Sequence, residues 1–94
     1  MLPADPRDES EEVDLHGLTV EQGIRRLAQA LHAARVRRHR SLLVITGAGW
    51  GNAERKPVLR TGIEAWLRGP EARALGVKDV RRVHRDGALD VQLG

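Results

Sequence analysis

Two side chains raise the question of chemistry first. In "VDLHGLT", residues 13–19, Asp14 and His16 stand two positions apart, just before a glycine. In an extended chain, residues i and i+2 face the same side. The carboxylate and the imidazole are therefore expected on one face, with Val13 and Leu15 on the other. Imidazoles as a class titrate near neutrality, which makes His16 a candidate to carry a proton. Asp14 is a candidate to orient that ring and hold one tautomer, or to accept the proton itself. The plain alternative is a structural hydrogen bond tying a strand end to a helix start.

A second stretch offers a place for an anion. "ITGAGWGN", residues 45–52, sets Gly47, Gly49 and Gly51 between an apolar run and a helix, with Arg55 and Lys56 close behind. Glycines let a backbone take positive φ and approach a ligand closely. Free N–H groups at a helix start attract phosphate. The expected phosphate or nucleic-acid contacts are Thr46, Gly47, Gly49, Trp50, Gly51, Arg55 and Lys56. Trp50 either folds back over the core edge or stacks on a base. The spacing is neither that of a nucleotide P-loop, which needs Gly-Lys-Ser/Thr, nor the Gly-x-Gly-x-x-Gly of a dinucleotide fold. A tight loop with no ligand is the simple alternative.

His84, just before "RDG", is a candidate second acid, whereas His32 and His39 read as surface residues on a helix and its basic end. A protein-held metal is not expected, because one Asp–His pair gives two ligands where zinc takes three or four. No cofactor is required by these residues. A divalent ion, Mg or Mn, held through water and phosphate is compatible with them.

The surrounding elements must position these groups. Val13–Leu18 is expected as the first strand. Thr19 opens a helix, since "TVEQ" has the form of a capping box with Gln22. Val20, Ile24, Leu27 and Leu31 then mark its buried face, and "RVRRHR" places cations at its C-terminal end, where the helix dipole favours them. "SLLVITG" reads as a strand covered on both faces, from its unbroken run Leu42–Ile45. Pro57 suits the first turn of a second helix, with Leu59, Ile63, Trp66 and Leu67 as its stripe and Trp66 in the core. A short helical piece, "EARAL", follows. "VKDVRRVH" has valines every third residue, a poor strand pattern that a bulge repairs. "RDG" and "ALDVQL" complete a hairpin. The order β-α-β-α-β-β implies one α/β domain with a mixed sheet.

Ninety-four residues make one domain. Cysteine is absent, which removes disulfides and thiolate ligands. "MLPADPRDES" lacks the pattern of a signal peptide, and no run is long enough to cross a bilayer, so a cytoplasmic monomer with no membrane partner is expected. Residues 1–12 carry five acidic side chains against one arginine and read as a disordered acidic tail; residues 13–94 hold 15 basic and 8 acidic side chains, a net of +7. Fourteen of the sixteen cations are arginines, which grip phosphate oxygens two at a time. That bias suggests a polyanionic partner, most often nucleic acid, RNA or DNA; the plain alternative is that the arginines merely keep the domain soluble.

Together, "VDLHGLT", "LLVITGAGWGN" and the "HRDGALDVQL" hairpin resemble the small MutS-related (Smr) domain over residues 13–94. Asp14, Leu15, His16 and Gly17 fit the family's Leu-Asp-Leu-His-Gly motif, with Val13 in place of the first leucine. Thr46, Gly47 and Gly49 fit its His/Thr-Gly-x-Gly loop. The chain departs from the pattern at Ala48, commonly basic, at Thr46, histidine in some active relatives, and at Asp90, often aromatic. The resemblance implies a two-layer α/β sandwich with a four-stranded mixed sheet, similar to the C-terminal domain of translation initiation factor three. It also implies an endonuclease acting on RNA or DNA, in some relatives at stalled ribosomes. Asp14 and His16 would do its acid–base chemistry and the glycine loop would hold phosphate. A non-catalytic module that binds nucleic acid or the ribosome is the alternative.

Overall fold

The structure, a computed structural model, describes residues 10–47, 58–83 and 87–94. Its elements are β1 (Ser10–Asp14), α1 (Val20–Val36), β2 (Ser41–Ile45), α2 (Val58–Leu67), α3 (Pro70–Ala74), β3 (Val77–Val83) and β4 (Ala88–Leu93). The four strands form one sheet in the order β1-β2-β4-β3. β1 runs parallel to β2, and β4 runs antiparallel to both of its neighbours. This is the mixed sheet that two βα units and a final hairpin require.

α1 begins as the sequence dictates. The Thr19 side chain accepts from the Gln22 amide at 3.1 Å, and the Gln22 side chain accepts from the Thr19 amide at 3.1 Å. Its inward face buries Gly23, Leu27, Leu31 and Ala34. These pack with Ile63 and Leu67 of α2 onto one face of the sheet, which contributes Val13, Leu42, Val44, Val80, Leu89 and Val91. The bulge expected in β3 is present, as a register shift between Val77 and Asp79 opposite β4. Among the described residues, no helix is long and apolar enough to cross a membrane.

Three expectations need correction. β1 spans Ser10–Asp14, not Val13–Leu18, so residues 10–12 of the supposed tail lie in the sheet. They are held there by pairing with Ser41–Leu43 and by Arg37, whose Nη1 donates to Glu11 Oε1 at 3.0 Å. β2 is covered on one face only: Leu42 and Val44 are buried, while Leu43 and Ile45 are half-buried on the side that carries no helix. The apolar run therefore reflected a central strand, flanked by β1 and β4, in a two-layer fold. Trp66 packs at the edge of the core, half-buried, because its indole N–H donates to Glu71 Oε2 at 3.1 Å.

Candidate active site

The sheet delivers the chain to the site through one buried residue. Leu15 is fully buried and its amide donates to the Ile45 carbonyl at 2.7 Å, so it pins the segment after β1 to the end of β2. The chain must then turn into α1. It does so in a four-residue β-turn, Leu15–Leu18, closed by the Leu18 amide on the Leu15 carbonyl at 3.1 Å. Gly17 takes the third position with φ of 80°, as a type II turn demands. His16 falls at the outer corner and projects into solvent, its side chain 70% exposed.

Asp14 organises this corner. Its Oδ1 accepts from the His16 backbone amide at 3.0 Å and lies 2.6 Å from the ring Nδ1. The first contact is an Asx turn, the local bond that Asp makes two residues onward. The pair is thus joined by a turn, and the expected strand alternation is not what brings it together, since β1 ends at Asp14. The bonds from the His16 side chain and then from its backbone hold the Asp14 carboxyl below its ordinary value, burial opposing them; the charges of His16 and Arg26 lower it further. An ionised carboxylate has no proton to give. The Nδ1 contact therefore places the ring's proton on Nδ1 when the imidazole is neutral, leaving the Nε2 lone pair open.

The glycine loop starts at the same rim. Gly47 has φ of 82°, and a Cβ there would sit 3.7 Å from the His16 Cβ. Its amide and that of Thr46 both donate to the Gly87 carbonyl, at 3.0 and 3.1 Å. These bonds clasp the end of β2 to the start of β4. They also correct two expectations. The Gly47 amide is not available to a phosphate, and Thr46 is buried, with its hydroxyl donating to the Gly47 carbonyl at 3.4 Å. Both residues build the rim. Gly49, Trp50, Gly51, Arg55, Lys56 and His84 lie outside the described residues.

One contribution was missed from sequence. Leu18, Gln22, Arg25, Arg26 and Gln29 line an open trough of about 350 Å³ that continues from the His16 turn along α1. The signal was there in the i, i+3, i+4 and i+7 spacing of Gln22, Arg25, Arg26 and Gln29, which shares one polar helical face. Among the described residues, no group of three or more His, Asp or Glu side chains could hold a metal ion.

The family model for the Smr domain matches residues 13–94. The chain belongs to the Smr domain family. Among solved structures, the Smr domain of Thermus thermophilus MutS2 is similar, with a TM-score of 0.72 and 31% sequence identity over 89% of this chain and 98% of that one. No curated protein matches the chain. Smr domains are generally associated with nuclease activity and with nucleic-acid binding. In this Smr domain the shared motif has a physical reading at each position. Asp14 is the Asx-turn carboxylate, Leu15 the buried pin, His16 the exposed corner and Gly17 the residue with positive φ.

Proposed function

We propose that this Smr domain is a nucleic-acid endonuclease in which His16 moves the proton and Asp14 positions it. The single observation that supports this most is the 2.6 Å contact between Asp14 Oδ1 and His16 Nδ1 on an exposed corner. A buried pair would read as structural. A solvent-facing ring fixed by a carboxylate, with Nε2 left open, is prepared to act as a base.

With RNA, Nε2 accepts the proton of a 2′-hydroxyl while that oxygen bonds to phosphorus. The P–O5′ bond breaks, giving a 2′,3′-cyclic phosphate and a 5′-hydroxyl once the leaving oxygen is protonated, a task for which His84 is the candidate. With DNA, Nε2 would instead accept a proton from water, and the product carries a plain phosphate. Charge on the phosphoryl oxygens calls for donors. The Gly47 and Thr46 amides are engaged with Gly87, so that role falls to the chain beyond Gly47, which carries Gly49, Trp50, Gly51, Arg55 and Lys56. The trough along α1, with Arg25 and Arg26, suits the flanking backbone of the substrate. The residues themselves require no cofactor, and a Mg or Mn ion would be held mainly by water and phosphate.

The test is incubation with labelled single-stranded RNA and with nicked and supercoiled DNA, with and without EDTA, against Asp14→Ala/His16→Ala. Cutting by the wild type that the double variant loses, with binding retained, supports the enzyme. Equal background in both proteins overturns it in favour of a binding module. The end group identifies the nucleophile.

A further inference from the structure

The exposed end of α1 farthest from His16 carries a second concentration of positive charge. Arg35, Arg38, His39 and Arg40 line a cleft of about 240 Å³ whose other wall includes Gly76 and Gly94. The Lys78 stem lies against Gly94 at its edge. Arg37, in the same run, is paired with Glu11, and His39 Nε2 lies 3.3 Å from the other oxygen of that carboxylate. Among the described residues, no carboxylate side chain pairs with Arg35 or Arg38.

The helix dipole favours cations at such a position in general, but it asks nothing of Arg38 in particular, and the helix end is already capped by other groups. The Ala33, Ala34 and Arg35 carbonyls accept from the amides of Arg37, His39 and Arg38, at 3.0, 2.9 and 3.1 Å. This is a complete Schellman motif, closed by backbone alone. Its left-handed position almost always belongs to glycine, since a side chain there is strained. Here it is Arg38, at φ of 59°. A strained arginine that the cap does not need, set beside Arg35 where both open onto one cleft, points to a ligand.

We propose that this cleft is a second phosphodiester-binding site, which grips the backbone of the nucleic acid engaged at Asp14 and His16. The inference rests on the reading of the partner as nucleic acid. The α1 axis between the two sites measures roughly 24 Å at 1.5 Å per residue, and a duplex advances about 3.4 Å per nucleotide. A substrate must extend for about seven base pairs to reach both.

The experiment uses the Asp14→Ala/His16→Ala protein as parent, so that nothing is cut. Binding of RNA and DNA duplexes of about 20 base pairs, and of a hairpin with a stem of about 4, is followed by anisotropy from 50 to 200 mM salt. Adding Arg35→Ala/Arg38→Gly should lower the salt slope on the long duplexes by about 2 and weaken them about tenfold near 0.1 M salt. The short hairpin should be unaffected. Arg38→Gly alone should raise the melting temperature, so lost binding does not reflect lost fold. Inorganic phosphate at matched phosphate concentration should leave the long complex intact; displacement by it would mark a small-anion site and overturn the proposal. An unchanged slope with a parent that binds overturns the second site and leaves the nuclease reading standing, as does equal loss on the short hairpin. A parent that binds neither duplex overturns the second site, whereas the nuclease reading stands or falls on cleavage of single-stranded RNA and of DNA by the wild type.

Discussion

Asp14→Asn separates the two jobs of one oxygen. Oδ1 holds the His16 amide at 3.0 Å and the His16 ring at 2.6 Å. Asparagine keeps a carbonyl oxygen for the backbone amide, so the Asx turn survives. What it loses is charge: the ring bond becomes neutral, and charge-assisted bonds are about twice as strong as neutral ones. At 47% exposure of the Asp14 side chain, water replaces most of that difference. The stability cost is therefore below about 1 kcal/mol, or at most a fall of ~4–8 °C in melting temperature for a domain of this size. Catalysis should suffer more, because the neutral amide tolerates either tautomer and ceases to stabilise the imidazolium. General base catalysis is worth about 10²–10⁴-fold, and we expect a loss of ~10²-fold or more in single-turnover cleavage, with the dissociation constant unchanged. A variant that cuts within about threefold of wild type would show that the carboxylate does nothing for the ring, and the reasoning fails.

Other consequences concern how the site is held. Glu64 on α2 accepts from Arg82 Nε at 2.7 Å and Arg68 Nε at 3.3 Å, while Arg68 Nη2 reaches the Val80 carbonyl, so this network ties α2 to β3. The Arg82 bond holds the Glu64 carboxyl below the ordinary glutamate value against the opposing effect of burial. Its stabilisation is thus whole above pH ~4.5 and is lost as pH falls through the folded value. Glu64→Gln should cost about 1–2 kcal/mol at pH 7, and the gap between its melting curve and that of the wild type should close as pH falls through the folded Glu64 value; a gap that stays constant as the carboxyl is protonated contradicts the assignment. Gly62→Ala should destabilise by about 1 kcal/mol despite better helix propensity. Its Cβ would lie 2.9 Å from both Val20 γ-carbons, and thermal melts of Val20→Ala/Gly62→Ala should show recovery. A single Gly62→Ala variant more stable than wild type would contradict this packing.

What the sequence disclosed depended on whether the cause was local. Thr19 and Gln22 cap α1 across three residues of one chain, and their types alone announce it. The β3 bulge was equally legible, because valines every third residue cannot alternate without one. Ser10–Glu12 were misread because polar residues in an edge strand look like a tail; what places them is distant in sequence, the pairing with Ser41–Leu43 and Arg37, 26 residues away from Glu11. The Asp14–His16 pair was found, but as strand alternation, since an Asx turn leaves the same i, i+2 spacing. The fate of the Gly47 amide was not readable, because the partner that claims it is the carbonyl of Gly87 on another strand. Arg38 carried no local sign of its left-handed backbone; arginine is among the last residues expected there.

The measurement closest to the central claim is single-turnover cleavage at saturating RNA by wild type and by His16→Ala, with binding measured on the same samples. The cleavage rate should fall to the uncatalysed background in His16→Ala while the dissociation constant stays within about twofold. An alanine variant that cuts at the wild-type rate would contradict that claim.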